Sequence, residues 1–177
     1  ALNSTTTGAN NTAVGREAMI SNTTGASNVG IGSTSLDANT TGSFNTAVGQ
    51  ASLTANTTAI NNTALGYATL KLNTTGDANT GIGYQSLDAN TTGVQNVALG
   101  ENALGANTTA NYNTAIGSSA LLVNETGDEN TAVGAFSLDA NTTGTDNTAV
   151  GYQSLSANTT ASNNVSIGRK SMLVNTT

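Results

Sequence analysis

The residues with chemistry to offer are amides, hydroxyls and a few carboxylates, and they recur at fixed spacing. Asn22, Asn39, Asn56, Asn73, Asn90, Asn107, Asn124, Asn141 and Asn158 each open an Asn-x-Thr triplet, and Asn175 opens one more. This triplet is the acceptor for N-linked sugar. The same residues also suit a tight turn. The sugar reading applies to a eukaryotic, eukaryotic-virus or archaeal extracellular fibre, the turn reading to a bacterial or phage protein. A second set, Asn11, Asn28, Asn45 and every seventeenth residue to Asn164, suits an amide ladder in which each side chain hydrogen-bonds to the next repeat.

The carboxylates are sparse. Asp37, Asp88 and Asp139 stand 51 residues apart, as do Asp77 and Asp128. One carboxylate per three repeats falls short of a calcium site, and the Gly-Gly-x-Gly-x-Asp pattern of calcium-binding rolls is missing. With no His and no Cys, the chain has no imidazole or thiol for base, nucleophile or soft metal ligand. The expectation is therefore no enzyme, no metal and no cofactor.

These groups are positioned by a repeat. Asn45-Thr46-Ala47-Val48-Gly49 returns in variant form from residues 11, 28, 62, 79, 96, 113, 130, 147 and 164, always 17 residues apart. Ten copies without insertion predict an all-β fold, a parallel β-solenoid (β-roll) of ten 17-residue coils, as one array over residues 1–177. Dense Thr, Asn and Gly argue against helix. Two short strands per coil are expected. The first is the Asn-Thr-Ala-Val-Gly core, and the second carries Leu36, Leu53, Leu70 and their equivalents with small or apolar partners two residues on, such as Ala38 and Leu72. Gly49, Gly66 and Gly83 close the first strand, where a turn calls for positive φ.

Alternation assigns the faces. Val14, Ile31, Val48, Leu65, Ile82, Leu99, Ile116, Val133, Val150 and Ile167 are expected to form a buried ladder facing the Leu ladder. The residue before each points the other way and is never large: Ala13, Ala47, Ala64, Ala98, Ala115, Ala132 and Ala149, with Gly30, Gly81 and Ser166 between them. A strip so uniformly small, continued by Ala18, Ser35, Ser52, Thr69, Ser86, Ala103 and Ala120, reads as an interface strip between chains.

A 51-residue period overlies the 17. The turn after each Asn-Thr-Thr ends in Gly at Gly42, Gly76, Gly93, Gly127 and Gly144, but in Ala at Ala59, Ala110 and Ala161. Copying of three-coil blocks explains this, with no physical meaning attached to the 51.

Ten acidic against four basic residues give a net charge of −6, so nucleic acid is not an expected partner. No apolar run reaches the ~20 residues of a membrane span. Both ends cut a repeat in mid-coil, so the expectation is a fragment of a longer fibrous protein.

The Asn-Thr-Ala-Val-Gly core followed by Ser/Ala-Leu resembles the head repeats of trimeric autotransporter adhesins, and is similar to the repeated shafts of phage and virus tail fibres. Asn113-Thr114-Ala115-Ile116-Gly117 is a close match, while the Asn-Thr-Thr-Gly turn makes each coil longer than the adhesin one. The resemblance implies an extracellular location on a cell or virion surface, a homo-oligomer with three chains side by side, and contact with host surface, matrix or glycans. The functional expectation is a structural, adhesive fibre segment acting as spacer and contact surface. The competing expectation is an ice-binding solenoid with Thr23-Thr24 and Thr40-Thr41 as its rows; neighbouring Thr residues face opposite ways, which counts against it.

Overall fold

The computed structural model describes residues 2–174. It is a β-solenoid in which each 17-residue repeat makes one coil. The first strand is β1 (Thr12–Val14) and the last is β10 (Val165–Ile167), with an equivalent three-residue strand in every coil between them. The ten strands pair in parallel and in sequence order within one sheet. Pairing is in strict register, Thr46 with Thr63, Ala47 with Ala64 and Val48 with Leu65. At about 4.8 Å per strand step, the sheet extends roughly 43 Å along the axis.

Among the described residues there is one strand per coil, not two. Leu36, Leu53, Leu70 and their equivalents through Leu155 sit in the left-handed region, with φ between 49° and 53°. The residue two before each Leu is left-handed as well, Thr34 at 56° and Ala51 at 57° among them. A coil of 17 residues has to reverse within a few positions, and alternate left-handed residues turn the chain sharply. The turned backbone still finds partners in the flanking coils. The Thr34 N–H donates to the Arg16 carbonyl at 2.8 Å, and the Leu36 N–H donates to the Ser52 carbonyl at 3.1 Å. Left-handed non-Gly residues cost on the order of 1 kcal/mol or more each, and burial of the Leu side chain with these bonds offsets the cost.

Gly49, Gly66 and Gly83 have φ of 137°, 136° and 131°, as the turn requires. At Gly83 an added Cβ would lie 2.6 Å from the Gly100 carbonyl oxygen, so the next coil leaves no room for a side chain either.

The inward and outward faces of the strand are the reverse of expectation. Ala47, Ala64, Ala98, Ala115, Ala132 and Ala149 are fully buried, and Ala13 packs partly buried against the same core. Ala18, Ser35, Ser52, Thr69, Ser86, Ala103 and Ala120 are also fully buried. The supposed interface strip is thus the interior. Conversely, Val14, Ile31, Leu65, Leu99, Ile116 and Ile167 are exposed, while Val48, Ile82, Val133 and Val150 are half-buried. The reason is volume. The interior already holds one Leu per coil and two buried Asn side chains, so the strand can contribute only a methyl group or less. The partners two residues after Leu do not line the core either, Leu72 being exposed and Ala38 half-buried.

Candidate functional surface

The two Asn sets build the polar half of the interior. In the strand-side set the Asn45 Oδ1 accepts the backbone N–H of Asn62 at 3.0 Å, and the Asn45 Nδ2 donates to the Ala59 carbonyl at 2.8 Å. In the turn-side set the Asn90 Nδ2 donates to the Asn73 Oδ1 at 2.7 Å and to the Gly93 carbonyl at 3.0 Å. In most coils the two sets meet on one acceptor, although at Gly127 only Asn124 arrives and Asn113 turns to the Asn111 carbonyl instead. The Gly42 carbonyl receives the Asn28 Nδ2 at 2.8 Å and the Asn39 Nδ2 at 3.0 Å. A buried carbonyl with two charge-neutral donors is fully satisfied, and so are the amides that reach it. The expected ladder exists, and it is double.

This geometry overturns the sugar-acceptor reading of Asn22, Asn39, Asn56, Asn73, Asn90, Asn107, Asn124, Asn141 and Asn158. All nine are fully buried, and the Nδ2 that would carry the sugar is the atom that bonds the turn carbonyl, as in Asn22 to Gly25 at 3.0 Å and Asn158 to Ala161 at 3.0 Å. Asn175 lies outside the described residues. Asn opens the triplet because it fills the corner, and the residue between it and the acceptor Thr, itself Thr in most coils, stitches coils together. Thr23 Oγ1 donates to the Thr40 carbonyl at 2.9 Å, and the second Thr of each doublet, such as Thr24 or Thr41, is exposed.

The carboxylates do not converge. Among the described residues no three His, Cys, Asp or Glu side chains gather in a way that could hold a metal ion, and no pocket opens. Burial pushes the Asp37, Asp88 and Asp139 carboxyls above their ordinary value, against backbone hydrogen bonds that lower it; Glu17 adds to the rise at Asp37, and Lys71 opposes it at Asp88. Asp77 and Asp128 have a different part. Each accepts a backbone N–H from the preceding coil, Ile60 to Asp77 Oδ1 at 2.7 Å and Asn111 to Asp128 Oδ1 at 2.6 Å. Ser43, Asn111 and Ser162 do the same for Ala26, Val94 and Thr145.

The 51-residue spacing carries structure in the turns. Thr40 and Thr41 both donate their N–H groups to the Thr57 carbonyl, whereas in the coils ending at Ala59 and Ala110 only Thr57 and Thr108 make the corresponding bond. A Cβ in place of Gly42 would land on the Ala59 carbonyl oxygen, so a turn ending in Ala has to shift and gives up its second bond.

What remains exposed and regular is the outer face of the sheet. The aliphatic column, Val14 through Ile167, runs its full length beside a second column of Thr12, Val29, Thr46, Thr63, Thr80, Val97, Thr114, Thr131, Thr148 and Val165. None of the fourteen charged residues falls in either column. Aromatic groups stand elsewhere on the surface. Tyr67 and Tyr84 stack with ring centroids 5.4 Å apart, and the Arg169 guanidinium lies 5.6 Å from the Tyr152 ring centre.

In comparison with known proteins the chain matches no family model, no curated protein and no solved structure.

Proposed function

We propose that the chain is a rigid, non-catalytic spacer and contact segment of an extracellular fibre, of the kind that forms an adhesin head or stalk, a tail fibre or a surface filament. The observation that carries this reading is the continuity of coil-to-coil bonding. Backbone N–H of each strand-side Asn from Asn28 to Asn164 bonds the Asn one coil before it, at 2.9–3.1 Å throughout, with no coil omitted. Stacking of this kind makes length proportional to coil number, which is what a spacer needs. The resemblance of the Asn-Thr-Ala-Val-Gly core to adhesin and tail-fibre repeats supports the same reading.

Removal of residues 62–112 deletes three whole coils without changing the phase of the rest. In electron micrographs of the intact fibre this deletion is expected to shorten the shaft by about 14 Å. Antibody against the segment should label intact cells or particles. A shaft of unchanged length, or labelling only after permeabilisation, sinks the proposal.

The ice-binding alternative is favoured by one observation, the uncharged Thr and aliphatic columns two residues apart on one sheet face. The turn doublets do not supply the rows, because Thr23 and Thr40 spend their hydroxyls on the next coil.

A further inference from the structure

We propose that the outer face of the ten-stranded sheet is a self-association surface on which a second copy of the chain packs, face to face. The proposal goes beyond the spacer reading, since a spacer can be a single chain.

Three observations carry it. The first is chemical. Twenty outward positions in ten coils are Thr, Val, Ile or Leu without exception, and Leu65 and Leu99 remain 47% and 43% exposed. The variable positions of the coil, by contrast, carry every charge but Glu125, which replaces a Thr in one turn. They include Arg16 and Glu17 after the strand, Glu101 in the same place, and Asp146 before it. A face from which charge is excluded while its margins accept both signs is the pattern of a covered patch.

The second is area. A sheet about 43 Å long with a side-chain-covered width of roughly 12 Å presents about 500 Å². Two such faces remove about 1,000 Å² from water, the size at which specific interfaces begin.

The third is period. Sheets that pack face to face interdigitate side chains about 10 Å apart, and the strand spacing of both must agree along the whole contact. A second copy has the same spacing by construction, so the aliphatic column of one chain stays in step with that of the other through all ten coils. One such face per chain closes in an isologous pair with nothing left over.

The test uses the whole chain and three exposed substitutions on the face, Leu65→Lys, Leu99→Lys and Ile116→Lys together. None of these side chains is buried, so circular dichroism should be unchanged. A matched control places Lys on the opposite side of the coil, Thr75→Lys, Thr92→Lys and Thr109→Lys, all exposed. Light scattering is expected to give twice the 17.5 kDa chain mass for the parent and the control, and the single mass for the sheet-face variant. A parent of single mass at high micromolar concentration overturns the proposal. A double mass that survives the sheet-face substitutions does so too. A threefold mass overturns the pairing. A monomer that produces thermal hysteresis overturns it and gives the face to ice. None of these outcomes changes the shaft-length test of the spacer reading.

Discussion

The interior of each coil has two halves that solve the same problem in opposite ways. Beside the strand it is apolar, as at Ala64, Leu70 and Ala98, all fully buried. From the Asn-Thr-Thr corner to the residue that precedes the strand it is an amide stack, as at Asn73 in the corner and Asn62 and Asn79 before the strands, equally buried. The apolar half is held by contact and tolerates modest exchange, so Met19 stands for Leu and Thr69 for Ser. The amide half is held by paired donors and acceptors and is Asn at both positions in every coil from residue 11 on; the one exchange, Thr5 in the first partial coil, leaves a buried hydroxyl without a partner. Non-directional packing forgives small errors of shape, whereas a buried polar group without its partner loses its hydration and gains nothing.

The sharpest way to break that contrast is at Asn90. Its Nδ2 donates to Asn73 and Gly93, and its Oδ1 accepts from the Asn107 Nδ2 at 2.8 Å. Asn90→Asp keeps the shape but sets a carboxylate oxygen against two other oxygens in a site without solvent. The expected loss exceeds about 3 kcal/mol, concentrated in the coils around residue 90 because each coil bonds only its neighbours. Urea melts and hydrogen exchange at Asn107 and Asn73 measure it. A loss below that of the Leu variant described next would show that the amide half is no stricter than the apolar one.

Leu87→Ala is expected to cost roughly 2–5 kcal/mol, the usual range for a fully buried Leu that leaves a cavity. Leu99→Ala, on the outer face of the same sheet, is expected to cost little in the isolated chain, because that side chain is 43% exposed. The pair of melts separates the true core from the column that alternation alone would have placed inside.

A third substitution sharpens how the apolar half adapts. The two Gly residues in the Ala column lie against its two oversized neighbours. A Cβ on Gly30 would sit 3.2 Å from the Met19 side chain, and one on Gly81 would sit 2.6 Å from Thr69 Cγ2. Gly81→Ala is expected to cost about 1–3 kcal/mol by overpacking. Adding Thr69→Ser removes the methyl group and keeps the hydroxyl that donates to the Gly83 carbonyl at 2.6 Å. The double variant should recover most of the loss, and additive losses in the cycle would refute the contact.

Much of this was legible beforehand. The 17-residue spacing dictates a solenoid, the amide ladder follows from phase-locked Asn, and positive φ at Gly49 follows from its place after a strand. Alternation alone puts the faces the wrong way round, because it ranks hydrophobicity above volume. A position that never exceeds Ala or Ser in ten coils is confined, whereas one that accepts Val, Ile and Leu alike is not. Gly30 and Gly81, each 11 or 12 residues after an oversized side chain, were the further clue. The missing second strand was not legible, since nothing in Leu itself announces a left-handed backbone. Nor was the loss of Asn-x-Thr acceptors, because a sugar acceptor and a buried corner both begin with Asn, and the Thr two residues on is exposed here as it would be in an acceptor.

The smallest expected effect lies at the rim between the two halves, where Asp37, Asp88 and Asp139 recur. Their carboxyls are pushed above the ordinary value of 3.8 chiefly by burial, and the Oδ1 atoms of Asp37 and Asp139 are buried without a hydrogen-bond partner. A carboxyl raised in the folded state binds its proton more readily folded than unfolded. Its contribution to stability is therefore fully present below the unfolded value and is lost as pH rises through the folded one. Acidification from neutrality toward 3.8 should raise the melting temperature slightly on account of these three groups. The triple variant Asp37→Asn, Asp88→Asn, Asp139→Asn is expected to lose that part of the slope and to melt no lower than the parent at neutral pH. Melting curves of both proteins across this interval give the difference directly, with the other carboxylates common to both. A parent that loses more stability on acidification than the triple variant would mean that these carboxylates are stabilised as anions, and that the rim belongs with the amide half and its satisfied partners.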